Sequence, residues 1–190
     1  MAKSMRTAYA ETLIELGGTN DKVVVMDADL GHTTMSCLFQ EKYPDRHFNF
    51  GIAEANMVCG ATGFAKAGLI PFVSTMAMFG VGRAFEQIRN TVCYVNANVK
   101  FGLSHPGISV GADGGSHQTV EDIAIMRCLP NMRILAPCDS IQMRKAVLAA
   151  AEMEGPVYIR VSRPDVENVT TEEMPFVPGK AQLLRKGKDV

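Results

Sequence analysis

The sequence predicts an α/β fold, in which helices cover both faces of a doubly wound, mostly parallel sheet. Two observations predict this fold. Short β-branched segments that are almost wholly apolar recur along the chain, as expected of strands buried on both faces. Longer helix-favouring segments separate them, which is the pattern of right-handed β-α-β crossovers. The chain has 190 residues, enough for one domain with a substantial core.

The predicted elements alternate from the N-terminus onwards. A first helix is predicted over residues 5–16, where apolar side chains share one side. The clearest helix spans 140–152, because Asp139 or Ser140 can cap its start and Gly155 follows its end. Two further helices are predicted over 54–67 and 81–97. Five buried strands are predicted over 23–26, 70–74, 99–104, 132–136 and 156–161.

This alternation ends near residue 165, so residues 1–165 form the predicted domain. Residues 166–190 are dominated by Thr, Glu, Pro and Lys and show no strong hydrophobic period. Their composition predicts a linker that leads towards a further, C-terminal domain.

The composition argues against several classes of function. Hydrophobic residues make up 47% and charged residues 21%, and the net charge is -1, so nothing indicates nucleic acid or a membrane surface as partner. No apolar run approaches the roughly 20 residues that span a bilayer. The N-terminus lacks the apolar core of a signal peptide, which predicts a cytoplasmic protein. The five cysteines form no CxxC pair, so reduced thiols are expected rather than disulfides or a zinc site.

Glu54 stands out because it is the only charged residue between His47 and Lys66, at a predicted strand-to-helix junction. One interpretation is a glutamate in the first helical turn that complements the helix dipole. The other is a carboxyl group in a dry site, where it can carry a proton and share it in a short hydrogen bond. Spacing alone leaves both interpretations open.

A Gly-rich loop, HPGISVGADGGSHQ (105–118), follows a predicted strand and carries His105, Asp113 and His117. It has neither the Gly-Lys-Ser/Thr sequence of a P-loop nor the G-x-G-x-x-G spacing of a dinucleotide site. The two histidines are twelve residues apart, which is a weak indication of a metal site. Long Gly-rich loops in compact domains are often functional, so an active-site loop is predicted. Arg163 follows the last strand, where a guanidinium suits a phosphate group.

Together these segments resemble the central, pyrimidine-binding domain of the transketolase family. The resemblance covers essentially residues 5–165, and its most specific parts are GIAEANM and the VGxDGxSHQ loop. The chain is similar in particular to the second subunit of the split transketolases of bacteria and archaea, in which two polypeptides form the enzyme. The matching segments, in order, are DADL, FNFGIAEANM, STMAMF with RAFEQIRN, SHPGISVGADGGSHQ, ILAPCDS and YIRVSR.

For the cofactor, the resemblance implies a thiamine-diphosphate-binding fold of the pyrimidine type. Glu54 would hydrogen-bond the pyrimidine nitrogen of thiamine diphosphate and so activate the cofactor. Phe79 would pack on the pyrimidine ring, and Met76 would lie in the same pocket. Asp29, in the DADL segment, would neighbour the cofactor.

For the substrate, the resemblance implies transfer of a two-carbon ketol unit between sugar phosphates. His105 and His117 would act in catalysis and, together with Asp113, would contact the sugar hydroxyls. Arg6 and Arg163 would hold the sugar phosphate. Met76 and Gly82 stand where the family usually has aromatic residues, and Ala112 replaces a common acidic residue, so the exact donor and acceptor sugars are left open.

The resemblance also implies a partner. The family holds the diphosphate and Mg²⁺ through a Gly-Asp-Gly…Asn motif in another domain, and this sequence has no such motif. The chain is therefore expected to share thiamine diphosphate with a diphosphate-binding, N-terminal transketolase subunit or domain that holds the Mg²⁺. It is also expected to form a homodimer and to ligate no metal itself.

Three alternatives to a transketolase component stay open, of which two are parts of other enzymes and one is not catalytic. A beta-type subunit of a 2-oxoacid dehydrogenase, or part of a 1-deoxy-D-xylulose-5-phosphate synthase, would share Glu54 and a segment like RAFEQIRN. The SHQ loop and the two phosphate-binding arginines favour a transketolase over both. A non-catalytic assembly module is the third alternative, and the presence of Glu54, His105 and His117 argues against it.

Overall fold

A six-stranded parallel sheet forms the centre of the molecule, and the computed structural model describes residues 3–188 of the chain. Its strand order is β3-β2-β4-β5-β7-β6, and β1 pairs with β8 in a separate antiparallel ribbon. In chain order the strands are β1 (Lys3–Ser4), β2 (Val23–Asp27), β3 (His47–Asn49), β4 (Ile70–Met76), β5 (Lys100–Ser104), β6 (Arg133–Leu135), β7 (Val157–Val161) and β8 (Asp165–Val166). The predicted fold class and all five predicted strands are confirmed.

Helices connect the strands. They are α1 (Met5–Thr19), α2 (Gly31–Thr34), α3 (Cys37–Lys42), α4 (Glu54–Lys66), α5 (Phe85–Gln87), α6 (Asp122–Arg127) and α7 (Ser140–Glu152). Two π-helical segments, Met78–Arg83 and Ile88–Cys93, flank α5, so the helix predicted over 81–97 has wide turns and begins earlier. The other three predicted helices are confirmed, and Asp139 rather than Ser140 is the residue that caps α7. Strand β3, the β1–β8 ribbon and the short helices α2, α3 and α6 were not predicted, because these strands include polar residues and these helices are too short to show a helical period.

Each face of the sheet has its own hydrophobic core. On one face, α1, α3 and α7 pack against side chains that include Val25, Phe72 and Ile159. On the other face, α4, the helical region 78–93 and α6 pack against side chains that include Met26 and Phe101. Neighbouring residues of one strand therefore point into different cores, which explains why the strand sequences are apolar throughout.

The chain reverses its direction across the sheet between β2 and β4. Strand β3 lies on one side of β2 and β4 on the other, with Asp27 of β2 in register with Ser74 of β4. The connection from β2 to β3 contains α3 on one face of the sheet, and the connection from β3 to β4 contains α4 on the opposite face. In α/β sheets, ligands bind at the carboxyl ends of the strands beside such a reversal.

Gly102 in the middle of β5 allows α1 to approach the sheet closely. A Cβ atom at this position would overlap the ring and hydroxyl of Tyr9. The Tyr9 hydroxyl lies 2.9 Å from the Ser74 hydroxyl, so this buried polar group is satisfied. Burial raises the pKa of the Tyr9 phenol, which stays neutral in this site.

Lys100, at the start of β5, is a fully buried basic residue. Its ammonium group donates to the side-chain oxygen of Asn98 at 2.6 Å, to the carbonyl of Gly155 at 2.8 Å and to the carbonyl of Met153. Burial, and secondarily the positive charge of Arg133, lower the pKa of Lys100 to about 7. All three N–H bonds are satisfied by neutral oxygens, and no carboxylate among residues 3–188 pairs with the ammonium within 4 Å.

The segment after β8 has no helix or strand up to residue 188, but its first part is held on the domain. The Asp139 carboxylate accepts hydrogen bonds from the backbone N–H groups of Val169 and Thr170 at 2.9 and 2.8 Å. Lys145 of α7 donates to three carbonyl oxygens between residues 171 and 174, each at 2.8 Å. The boundary predicted at residue 165 thus falls within β8, and the first part of the predicted linker lies against α7. Among the helices of the described region, none is both long and apolar enough to cross a membrane.

Candidate active site

The side chains predicted to act lie at the carboxyl edge of the sheet. Asp29 follows β2, Glu54 begins the helix after β3, Phe79 follows β4 and His105 follows β5. Met76 is the last residue of β4 and is almost wholly buried. The structure therefore gathers residues from four separate loops along one edge, beside the point where the strand order reverses.

Glu54 is buried, with 1% of its side chain exposed, and its partner is Arg83. The Nη1 atom of Arg83 lies 3.0 and 2.9 Å from the two carboxyl oxygens. The guanidinium carbon also lies 4.4 Å from the centroid of the Phe79 ring, which is a cation–π contact. The carboxyl group, the aromatic ring and the guanidinium thus form one cluster.

His117 joins the Gly-rich loop to this cluster. Its ring centroid lies 5.3 Å from that of Phe79, with the two rings nearly perpendicular. The Nδ1 atom of His117 is 3.0 Å from the hydroxyl of Ser116. The loop is closed at its base by backbone hydrogen bonds between Gly107 and Thr119 of 2.7 and 3.3 Å. Asp113 lies on the exposed part of this loop.

His105 is buried at the end of β5, in a left-handed backbone conformation with φ of 61°. Its Nδ1 atom lies 2.8 Å from the Ser104 hydroxyl. Burial, followed by the positive charges of Arg6 and Arg163, lowers the pKa of His105 to about 4. Near neutral pH the ring is therefore uncharged, and it can exchange hydrogen bonds with hydroxyl groups without bringing a further charge into the site.

Arg6 and Arg163 lie near each other on the His105 side of the edge. Burial and the charge of Arg163 lower the pKa of the Arg6 guanidinium. Arg6 donates from Nη1 to the carbonyl of Thr33 at 2.9 Å, while its buried Nε has no hydrogen-bond partner. Arg163 packs on Gly111, where a Cβ atom would overlap the guanidinium and where φ is 89°. Two neighbouring guanidiniums with a free donor suit an anion such as a phosphate.

Asp29 follows β2 at the same edge, with φ of 61° and an exposed side chain. Its N–H donates to the side-chain oxygen of Asn49 at 3.1 Å, and the same oxygen accepts from Gly51 at 2.8 Å. A polar cavity of about 210 Å³ opens here, lined by Asp27, Asp29, His32, Cys37, Gln40 and Asn49 among others. The side chain of Asp29 is therefore open to a ligand that enters this cavity.

Three features of this edge were missed in the sequence. The first is Arg83, which is not among the predicted site residues although its guanidinium contacts the Glu54 carboxylate. The second is a buried pair beneath Asp29, in which Nε2 of His47 lies 2.8 Å from Oδ2 of Asp27. The third is Asp122, which accepts hydrogen bonds from Tyr158 and Arg160 at 2.6 and 2.8 Å. The only signal for the last two is an acidic residue at the end of a strand or the start of a helix.

Across residues 3–188 no three or more His, Cys, Asp or Glu side chains are arranged so that they could hold a metal ion.

The chain is thus an α/β domain with a buried carboxylate, an aromatic ring and two neighbouring arginines along one edge of its sheet. The model of the transketolase pyrimidine-binding domain matches residues 1–168. The chain belongs to this family. The predicted α/β fold and the predicted family are thereby confirmed. This family implies the use of thiamine diphosphate.

Curated relatives and solved structures extend this assignment. A Methanocaldococcus jannaschii protein assigned as a transketolase C-terminal section is 47% identical over 190 residues, covering 99% of this chain and 60% of that protein. Human transketolase is 37% identical over 97% of this chain, which corresponds to 29% of the human protein. A solved split-gene transketolase, described as an inactive beta4 tetramer, superposes with a TM-score of 0.89 at 47% identity, over 100% of this chain and 61% of that chain.

A further curated relative comes from a bacterium. A 6-deoxy-6-sulfo-D-fructose transketolase subunit from a Clostridium strain is 39% identical over 98% of this chain and 58% of that subunit. The chain thus spans about 60% of the split relatives and about 30% of the single-chain transketolases that it matches.

Proposed function

We propose that this chain supplies the pyrimidine-binding part of a transketolase, which transfers a two-carbon ketol unit between sugar phosphates with thiamine diphosphate. The observation that carries the proposal is the Glu54 cluster. A carboxyl group with 1% of its side chain exposed lies beside the aromatic ring of Phe79, at the carboxyl edge of the sheet. A carboxyl and an aromatic face are the two groups that a planar, nitrogen-containing ring requires for hydrogen bonding and stacking.

The residues of this edge fit the pyrimidine half of the cofactor. Glu54 would hydrogen-bond a ring nitrogen, Phe79 and Met76 would border the ring, and Asp29 would lie on the adjoining cavity wall. When bound, thiamine diphosphate supplies an electron sink for breaking a carbon–carbon bond. The share of Glu54 is to hold a proton at the ring nitrogen in a site from which water is largely excluded.

The other half of the edge fits a phosphorylated sugar. Arg6 and Arg163 would bind the phosphate, since they are two neighbouring guanidiniums with a free buried donor. His105 is uncharged near neutral pH and would donate or accept a hydrogen bond at a sugar hydroxyl. His117 and Asp113 would approach the same sugar from the loop above.

A partner would complete the site. The sequence has no Gly-Asp-Gly…Asn motif, so the diphosphate and Mg²⁺ would be held by an N-terminal transketolase subunit or domain. The similarity to a transketolase C-terminal section supports this division. A homodimer of this domain is proposed as well, since Ile52, Ile108 and Val120 expose about three-quarters of their surface close to the site. The enzyme would act in the cytoplasm, in the pentose phosphate pathway.

The test is reconstitution. The chain would be mixed with a diphosphate-binding partner subunit, thiamine diphosphate, Mg²⁺, xylulose 5-phosphate and ribose 5-phosphate, and sedoheptulose 7-phosphate would be measured. Glu54→Gln is expected to lower the rate by about 10²-fold or more, because the amide cannot carry the proton. Glu152→Gln, an exposed change at the end of α7, is the matched control and should leave the rate unchanged.

The outcomes separate the alternatives. Decarboxylation of pyruvate without formation of sedoheptulose 7-phosphate would contradict the transketolase proposal. It would favour a 2-oxoacid dehydrogenase subunit or a 1-deoxy-D-xylulose-5-phosphate synthase instead. Full activity of Glu54→Gln in the assembled enzyme would exclude the proposed role of this carboxyl group.

A further inference from the structure

Arg83 makes both of the contacts that the pyrimidine ring of the cofactor would make. Its Nη1 group lies 3.0 and 2.9 Å from the two oxygens of Glu54, which leaves no carboxyl oxygen free of the guanidinium. Its guanidinium plane also contacts the Phe79 ring, with the central carbon 4.4 Å from the ring centroid. One planar, nitrogen-rich group thus bonds the carboxyl and covers the aromatic face together.

We infer that Arg83 competes with the pyrimidine ring for Glu54 and Phe79, and that it must move away before the cofactor can bind. The inference rests on the proposed function, since it concerns the same subsite. Glu54 and Phe79 offer one carboxyl group and one ring face, and two planar groups cannot both occupy the same bonding positions. Arg83 therefore acts as an internal occupant of the pyrimidine site in the chain without its partner.

Burial explains why the free chain needs such an occupant. Glu54 begins α4 with 1% of its side chain exposed, and an ionised carboxylate at this depth is unfavourable unless a cation or several donors compensate it. Arg83 is the only side chain in the described region that hydrogen-bonds the Glu54 carboxyl group. The helix N-terminus adds a smaller favourable contribution.

The position of Arg83 allows it to leave. Almost half of its side chain, 48%, is exposed, whereas Glu54 on the other side of the pair is buried. Arg83 is also the last residue of the π-helical segment Met78–Arg83, and such wide turns are frequent at functional sites. Rotation of the side chain towards solvent breaks two hydrogen bonds and one cation–π contact, and it leaves the backbone of the core in place.

The competition is testable without any catalytic assay. The probe is the neutral aminopyrimidine half of thiamine, in its hydroxymethyl form, titrated into the full chain and followed by ligand-observed NMR. A neutral probe removes the attraction or repulsion that the thiazolium charge would add. Arg83→Met and Arg83→Gln are expected to bind the probe about tenfold more tightly than the unchanged chain, as when a closed state that is about 90% populated is removed.

Two controls make the comparison specific. Arg89→Met removes the same charge from an exposed position in the same helical region and should leave the affinity unchanged. The double variant Glu54→Ala with Arg83→Met should lose the gain, because the carboxyl partner of the ring is gone. Circular dichroism of each variant checks folding. Arg83→Gln, whose shorter and uncharged side chain cannot form the ion pair with Glu54, covers the case in which Arg83→Met does not fold.

The results distinguish failure of the proposed competition by Arg83 from failure of the proposed pyrimidine site. If both Arg83 variants bind the probe no more tightly than the unchanged chain, while Glu54→Ala abolishes binding, Arg83 does not compete and the proposed pyrimidine site stands. If neither the unchanged chain nor any variant binds the probe, the competition and the pyrimidine site are both wrong.

Discussion

Asp139 ties the C-terminal segment to helix α7, and Asp139→Ala is expected to destabilise the domain by about 3 kcal/mol. The carboxylate is fully buried and accepts from the N–H of Gln142 at 2.8 Å, which caps the helix. It also accepts from the N–H groups of Val169 and Thr170, and the Thr170 hydroxyl lies 2.9 and 2.8 Å from its two oxygens. One side chain thus satisfies donors from two segments about 30 residues apart.

The magnitude follows from the donors that the alanine leaves behind. Loss of the cap contributes about 1 kcal/mol. Thr170 is buried, so its unsatisfied N–H contributes about 2 kcal/mol, whereas Val169 is exposed and its N–H can bond water. Burial alone would raise the pKa of Asp139, but the hydrogen bonds from Gln142 and Thr170 outweigh it and lower that pKa. The stabilisation is therefore present at neutral pH and is lost when acid protonates the carboxylate.

Urea unfolding followed by circular dichroism measures the effect, and trypsin cleavage at the exposed Lys180 reports release of the segment. Thr170→Val, which removes only the hydroxyl, should lower the free energy of unfolding by about 1 kcal/mol. An Asp139→Ala protein within about 0.5 kcal/mol of the unchanged chain, or with unchanged cleavage at Lys180, would refute this reasoning.

Two further predictions concern the core. Gly102→Ala should lower the free energy of unfolding by about 3 kcal/mol, because the new methyl group would overlap the buried Tyr9 ring. The control is Gly63→Ala on an exposed part of α4, where nothing lies within 4 Å of the new methyl group, and it should raise the free energy of unfolding by about 0.5 to 1 kcal/mol. Equal urea midpoints for the two variants would contradict this prediction. Burial lowers the pKa of Lys100 to about 7 from 10.5, so the unfolded chain binds more protons between these values and the free energy of unfolding should rise with pH from 7 towards 10. Lys100→Met should flatten that rise in urea titrations at pH 7, 8 and 9, and an unchanged slope would exclude Lys100 as its source.

The parts of the fold that could be predicted are those in which neighbouring residues share one environment. Strand β2 is buried on both faces, so four consecutive apolar residues identify it. Strand β3 has three residues at the sheet edge, between a buried His47 and an exposed Asn49, and its pattern cannot be distinguished from a loop. For the same reason α7 was predicted with its observed bounds, whereas α6, with six residues, was not.

The candidate site likewise has residues that could be predicted from the sequence and contacts that could not. Glu54 could be singled out because a lone charge in an apolar segment is visible in the sequence. Its pairing with Arg83 could not be predicted, because the two residues are 29 positions apart in the sequence. The direction of the Arg83 side chain also depends on π-helical turns, which have no recognisable residue pattern. The buried contact of His47 with Asp27 was missed for a related reason, since it depends on which strand lies beside β2.

The two ends of the edge differ in how their charges are compensated, and this difference bears on the order of binding. Glu54 is compensated within the chain by Arg83, so a ligand at that end has to exchange one partner for another. Arg6 and Arg163 form no ion pair within 4 Å with any carboxylate of residues 3–188. Burial, followed by the charge of Arg163, lowers the pKa of Arg6, and the charge of Asp165 offsets part of this effect. An anion at that end therefore relieves an existing repulsion and displaces nothing. Under the proposed function, the arginine end would accept a phosphate in the isolated chain without losing a partner, whereas the Glu54 end would accept the pyrimidine ring only after Arg83 has moved away.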